Sequence, residues 1–186
     1  MTYILGVDPG SNHIGIAIFG INNNGEIVNI ETEDITAEGI SSSVPFHKPI
    51  HYKLKFISNA FKKVLYKYNP KLICFESGFI NPSRMGSIIP LTKALAVMEL
   101  AAIEMDSKPF IVYLAPQEAK RKIGADFKLK KDGVVIALTN IDEVFNHIDP
   151  HTVSEHVADA IMLGYVVVRD MLNNMGTFHV RHTPKW

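Results

Sequence analysis

The stretch Ile4-Leu5-Gly6-Val7-Asp8-Pro9-Gly10-Ser11-Asn12-His13-Ile14-Gly15-Ile16-Ala17-Ile18-Phe19 decides how the fold is read. An apolar run of strand length ends on one carboxylate, breaks at Pro9-Gly10, and resumes as a second strand-like run of Ile and small residues. The pair reads as a hairpin with an acid at its mouth. An unpaired charge at the end of a central strand is costly, so Asp8 asks for a cation, a metal ion or a phosphate-bound metal. Asp, Pro and Gly are also the usual turn residues, and the hairpin alone does not choose between the two.

Working outward, Asn22-Asn23-Asn24-Gly25 is expected to supply the positive-φ residues of a tight turn, and residues 26–32 then alternate Ile27 and Ile30 among polar residues as an edge-like third strand. That completes a three-stranded meander. Residues 36–50 show no periodicity and read as a loop. From Tyr52 to Tyr68 apolar residues recur at helical spacing with lysines between them, and Asn69-Pro70 stops the run; this helix should cover a sheet. Leu72-Ile73-Cys74-Phe75 is a short apolar strand that ends on Glu76 just as the first ends on Asp8. Residues 77–90, with two Gly and two Pro, read as a mobile loop carrying Phe79 and Arg84. Beyond it come an Ala- and Leu-rich helix (92–105), a strand (110–114), a short helical turn (116–122), a helix from Asp132 to about Phe145, and a helix capped by Ser154 running to about Leu172. The fold class is α/β, a mixed five-stranded sheet of an antiparallel meander plus parallel strands, flanked by helices. One domain is expected over residues 1–186, with a core at about 3–172 and the tail 173–186 unassigned.

Composition bounds the function. The chain has 186 residues, 47% hydrophobic and 20% charged, enough for one ordinary core. Cys74 is the single cysteine, so neither an intrachain disulfide nor a cysteine-based zinc site can form, and a reducing compartment fits. No run approaches the ~20 apolar residues that span a bilayer; the protein reads as soluble, cytoplasmic or otherwise intracellular, with no membrane partner. Nineteen basic residues balance nineteen acidic ones, which argues against nucleic-acid binding by the whole surface. The charge is uneven, however. Lys120, Arg121, Lys122, Lys128, Lys130 and Lys131 face only Asp126 within one short segment.

Asp8, Glu76 and Asp159 are distant in sequence, yet each falls where an apolar element meets or faces the end of a sheet. His156 and Asp159, three apart, share a helix face with Ala160 and Leu163. Hard oxygen ligands of this kind suit magnesium or manganese. Phosphodiester hydrolysis commonly uses two such ions roughly 4 Å apart. His156 is a fourth ligand, a group that positions water, or a capping histidine. A zinc site from His147, His151 and His156 has helical spacing only in part and is broken by Pro150.

Together these pieces resemble the RuvC family of Holliday junction resolvases, within the RNase H-like nuclease fold, over residues 3–168. The matching motifs are Gly6-Val7-Asp8-Pro9-Gly10 with Gly15, Phe75-Glu76 with Phe79 three residues on, the basic segment 120–131, and His156-Val157-Ala158-Asp159-Ala160. The resemblance implies a magnesium-dependent endonuclease that makes paired symmetric nicks in four-way junctions, in DNA recombination and repair, with manganese as a substitute. It implies metal-site residues Asp8, Glu76, His156 and Asp159, and catalytic or backbone-contacting lysines Lys120 and Lys131, or Lys130 if the alignment slips by one. It implies that Phe79 stacks on a base at the junction centre. A homodimer is also implied, with the helix at 92–105 at the contact; its alanines Ala94, Ala96, Ala101 and Ala102 would allow close helix approach there, and a helix packed on its own sheet would look the same. No nucleotide cofactor is implied. Phe79, Arg84, Lys120, Arg121, Lys122, Lys128, Lys130 and Lys131 form the expected DNA-binding set.

Three other readings compete. Actin-like ATPases and sugar kinases open with a similar hairpin, but need a duplicated domain for which the chain has no room. A looser nuclease of the same fold would cut flaps or other branched DNA. A catalytically inactive junction-binding protein would have no use for carboxylates that repel phosphate.

Overall fold

The structure, a computed structural model, describes residues 1–38, 49–77, 85–129 and 132–174. Strands β1 (Thr2–Asp8), β2 (His13–Ile21), β3 (Ile27–Thr36), β4 (Leu72–Glu76) and β5 (Phe110–Leu114) form one sheet in the order β3-β2-β1-β4-β5. The first three pair antiparallel, and β4 joins β1 in parallel with β5 parallel to β4. This is the mixed sheet expected from the two apolar runs that end on acids. With β1 at its centre, Asp8 and Glu76 finish neighbouring parallel strands, and their side chains arrive at the same end of the sheet.

Helices cover both faces. α1 (Pro49–Tyr68) and α2 (Met85–Ile103) lie on one side, where Ile57, Phe61, Leu65, Ala94 and Met98 pack on Leu5, Val7, Ile16, Ile73 and Phe75. α3 (Pro116–Lys122), α4 (Asp132–Thr139), α5 (Asp142–Phe145) and α6 (Glu155–Asn174) lie on the other, with Val157, Ile161 and Leu163 against Ile4, Ala17, Phe19 and Cys74. The alternation of β1 sends Leu5 and Val7 to one core and Ile4 to the other. Cys74 is fully buried, and its desolvated thiol is pushed up to about 12. Among the described residues no helix is long and apolar enough to cross a membrane.

Several elements differ from the sequence reading, each for a local reason. In the turn after β2 only Gly25 has positive φ, at 84°. The asparagines serve through a side chain instead, the Asn22 Oδ1 accepting from the amides of Asn24 and Glu26 at 2.9 Å each. β3 runs on to Thr36 because Ile30 and Ile35 both turn into the cores. α2 begins at Met85, inside the expected loop, and continues through Pro90. Proline there removes one amide, and the helix is held just beyond it by Thr92 Oγ1 donating to the Ile88 carbonyl at 2.9 Å. The helix expected from Asp132 to Phe145 is two helices, α4 and α5, with the chain extended at Ile141 (φ −104°, ψ 102°) between them. Ser154 Oγ accepts from the amide of Val157 at 3.3 Å, so it caps α6 as expected. The alanine stripe of α2 is a correction: Ala94, Ala101 and Ala102 are buried in this chain's own core, which leaves Ala96 alone of the four on the surface.

Candidate active site

Two glycines decide how close α6 comes to the sheet. A Cβ on Gly6 would lie 2.1 Å from the carbonyl oxygen of Ala160, and one on Gly15 would lie 2.0 Å from that of His156. Backbone therefore meets backbone along β1, β2 and the first half of α6. That contact sets the height of His156 and Asp159 over the strand ends. The three-residue spacing places both on the turn that overhangs Asp8 and Glu76.

Asp8 is buried, and the His156 Nδ1–H donates to its Oδ2 at 2.6 Å. The bond to Asp8 raises the His156 pKa above the ordinary imidazole value despite partial burial. Glu76 is pushed up to about 8, first by burial and then by the charges of Asp8 and Asp159. Asp159 is pushed up to about 6 by burial and by Asp8. Lys120, brought in by α3, opposes both shifts and is the cation that the two acids share. Burial and mutual repulsion thus favour the protonated form of Glu76, because three crowded carboxylates ionise together only at the expense of a compensating positive charge.

The donor set fits a hard divalent cation in kind: three carboxyl groups and an imidazole. Among the described residues no three such side chains already form a metal cage. Asp8 is turned to His156 and hydrogen-bonded to Glu76. A cleft of about 470 Å³ opens beside Asp159, lined among others by Lys120, Phe127, Asp132, Val135 and Glu155. Its volume is in the range of ligand clefts.

The remaining expected residues fall in different places. Arg121 donates from Nε to the Gln117 carbonyl of its own helix at 3.3 Å. Lys122 does not reach the site: its Nζ binds Asp170 of α6 at 2.7 Å and Glu118 at 3.1 Å, which makes it a tie between α3 and α6. Lys128 is exposed in a short 3-10 turn, where its amide donates to Asp126 Oδ1 at 2.8 Å. Phe79, Arg84, Lys130 and Lys131 lie outside the described residues. The histidine trio is ruled out as one site, because His147 Nε2 bonds the Ile27 carbonyl on β3 while His156 stands at Asp8.

One participant was missed. His13, the first residue of β2, stacks on His156 with centroids 5.6 Å apart and planes 7° from parallel, and its Nε2–H donates to Glu38 Oε1 at 2.8 Å. No spacing rule links positions 13 and 156. Only the hairpin mouth's place under α6 brings the two rings together.

Comparison with known proteins bears on the fold and the family. Thermus thermophilus RuvC in complex with a Holliday junction substrate superimposes with a TM-score of 0.68 at 17% identity, over 95% of this chain and 98% of that one. The yeast mitochondrial Holliday junction resolvase gives 0.64 at 13% identity, over 95% and 82%. The fowlpox virus resolvase with its junction DNA gives 0.50 at 17% identity, over 92% and 99%. These likenesses show a shared fold. No curated protein matches the chain significantly by sequence. The family described as crossover junction endodeoxyribonuclease RuvC matches residues 4–163, nearly the whole of the sheet and its helices, and the chain belongs to that family.

Proposed function

We propose that this protein resolves four-way DNA junctions by hydrolysing one phosphodiester in each of two symmetric strands. The observation that carries the reading is the meeting of Asp8, Glu76, Asp159 and Lys120 at one end of the sheet, close enough for the acids to raise one another's pKa. Asp8, Glu76, Asp159 and His156 would hold magnesium, with manganese as a substitute and two ions in all. Bound there, the metal supplies Lewis-acid polarisation of the phosphate and a lowered pKa for the attacking water. The chain's own contribution is positional. His156 fixes the Asp8 carboxylate, α6 sets Asp159 above it, and the Lys120 ammonium faces the negative charge that builds on the phosphate. Water adds to phosphorus as the bond to O3′ breaks and O3′ takes a proton, leaving a 5′-phosphate and a 3′-hydroxyl.

Two symmetric nicks call for two sites related by a two-fold axis. The surface of α2 supports a homodimer: Ile89, Leu100 and Ile103 are each more than half exposed on one side of a helix whose other side is already buried. Leu100→Glu with Ile103→Glu should yield a monomer in sedimentation and break the pairing of nicks.

The test of the reading is cleavage of an end-labelled synthetic four-way junction, a flap and a linear duplex, with and without magnesium, by wild type and Asp8→Asn. Paired nicks confined to the four-way junction, requiring magnesium and lost by at least about 10³-fold in the variant, are expected. Equal rates on flaps would overturn strict junction resolution, and binding without cleavage in any divalent metal would overturn the catalytic role.

A further inference from the structure

Helix α1 is charged against its own interest. It carries Lys53, Lys55, Lys62, Lys63 and Lys67 with no carboxylate in twenty residues, in a chain whose total charge is zero. Three of them are answered within the molecule: Lys62 pairs with Glu104 at 2.7 Å, Lys67 with Glu31 at 3.4 Å, and Lys53 bonds the Asn12 side chain at 2.6 Å. Lys55 and Lys63 are the two whose charge is left for an anion outside the molecule to answer.

The solvent face has an ordered layout. Tyr52, Lys55, Phe56, Asn59, Lys63 and Tyr66 recur at spacings of three and four and are all exposed, Tyr66 at 71%. A shallow groove of about 480 Å³ runs between Phe56 and Tyr66 past Asn59 and Lys63. Lys55 and Lys63 have no hydrogen-bond or ion-pair partner among the described residues. Lys53, next to Tyr52 at the start of the stripe, donates from Nζ to Asn12 Oδ1 at 2.6 Å, and Asn12 belongs to the loop that follows Asp8. The aliphatic residues Ile57 and Leu65 and the ring of Phe61 are fully buried in the core, so the exposed face offers only Tyr52, Phe56 and Tyr66 among lysines and Asn59.

We infer that the outer face of α1 is a track for one duplex DNA arm leaving the active site, with Lys55 and Lys63 on phosphates and Phe56 and Tyr66 against the sugar edges. The inference rests on the junction reading above. A helix of this length spans about 30 Å, or roughly nine base pairs at 3.4 Å each. Net charge says little about DNA binding in this chain because the positive charge is gathered where the arm runs.

The test measures junction binding by fluorescence anisotropy, for arms of fifteen and of five base pairs, with wild type, Lys55→Gln/Lys63→Gln and Lys55→Arg/Lys63→Arg. For long arms the glutamine pair should weaken binding about ten- to thirty-fold near 0.15 M salt and lower the salt slope by about two. The arginine pair should bind as wild type does. Shortening the arms should weaken wild type by a similar factor and leave the glutamine pair nearly unchanged. An unaltered affinity and slope, or equal losses at both arm lengths, would overturn the track while leaving junction resolution standing. Failure of wild type to bind any junction would overturn both. A change in sedimentation of the glutamine pair would give the face to a second copy of the chain, and loss of binding to anionic vesicles would give it to a membrane.

Discussion

The two faces of the sheet are packed by different means. On the α6 face side-chain packing is interrupted by two backbone-to-backbone contacts, where Gly6 and Gly15 leave room for the Ala160 and His156 carbonyls with no side chain between them. On the α1 and α2 face the contact is made by large side chains, Phe61, Phe75, Ile57 and Met98, which interdigitate in an ordinary aliphatic and aromatic core. The first mode fixes distance, because a carbonyl cannot be compressed. The second fills volume, and can relax around a change. It follows that the chemistry was built on the rigid side, and the difference gives each face its own signature when disturbed.

The largest separation is expected at Gly15. In Gly15→Ala the new methyl would stand 2.0 Å from the His156 carbonyl oxygen, so the first turn of α6 must lift and take His156 and Asp159 with it. Displacement of about an ångström in reacting groups lowers rates on the order of 10²-fold. Single-turnover cleavage should fall by about that factor in protein that remains folded by circular dichroism. Phe61→Ala, in the opposite core, should cost about 3–5 kcal/mol of stability in urea melts, while the rate per folded molecule stays within about twofold. Comparable rate losses at both positions would end the contrast.

A smaller effect comes from the titration of the acids. The folded pKa values of Glu76, about 8, and Asp159, about 6, lie above the ordinary carboxylate values of 4.5 and 3.8. The metal-free native state thus binds these protons more tightly than the unfolded chain. Its stability from these groups is complete below about pH 4 and is lost as pH rises toward 8. Without metal, the melting temperature should drop by several degrees between pH 5 and pH 8, and Glu76→Gln should flatten much of that drop. Magnesium should restore more at pH 8 than at pH 5, because at low pH it competes with protons for the same oxygens. A metal-free protein that becomes more stable across this range would contradict the crowding of Asp8, Glu76 and Asp159.

The sequence showed the rigid side better than the flexible one. Asp8 and Glu76 were legible because a carboxylate closing an apolar strand is a costly arrangement with few explanations. Asp159 and His156 were legible through helical spacing on an otherwise apolar face. The beginning of α2 was hidden because Pro90 and Gly86 are loop residues by preference, yet both lie within the helix. The outward face of α2 was hidden for the opposite reason, since a helix apolar all round offers no periodicity to orient it. The stacking of His13 on His156 depends on α6 lying over the hairpin mouth, a long-range fact that local pattern does not carry.

The smallest effect tests the boundary between the site and its support. Lys120 and Lys122 sit two apart on α3, and a charge count treats them alike. The helix sends them different ways. Lys120 lowers the pKa of Glu76 and Asp159, whereas Lys122 spans to Asp170 of α6 and Glu118 of its own helix. Lys122 and its partners are more than a third exposed, so water and salt screen the pairs and their worth is about 0.2–1 kcal/mol. Lys122→Ala should therefore lower the melting temperature by only a few degrees and leave the salt slope of junction binding as it was, since no phosphate contact is lost. Lys120→Ala should do the reverse, holding stability while slowing cleavage by on the order of 10²-fold. A changed salt slope in Lys122→Ala would move that lysine from the frame to the DNA surface, and α3 would then present two cations to the substrate instead of one.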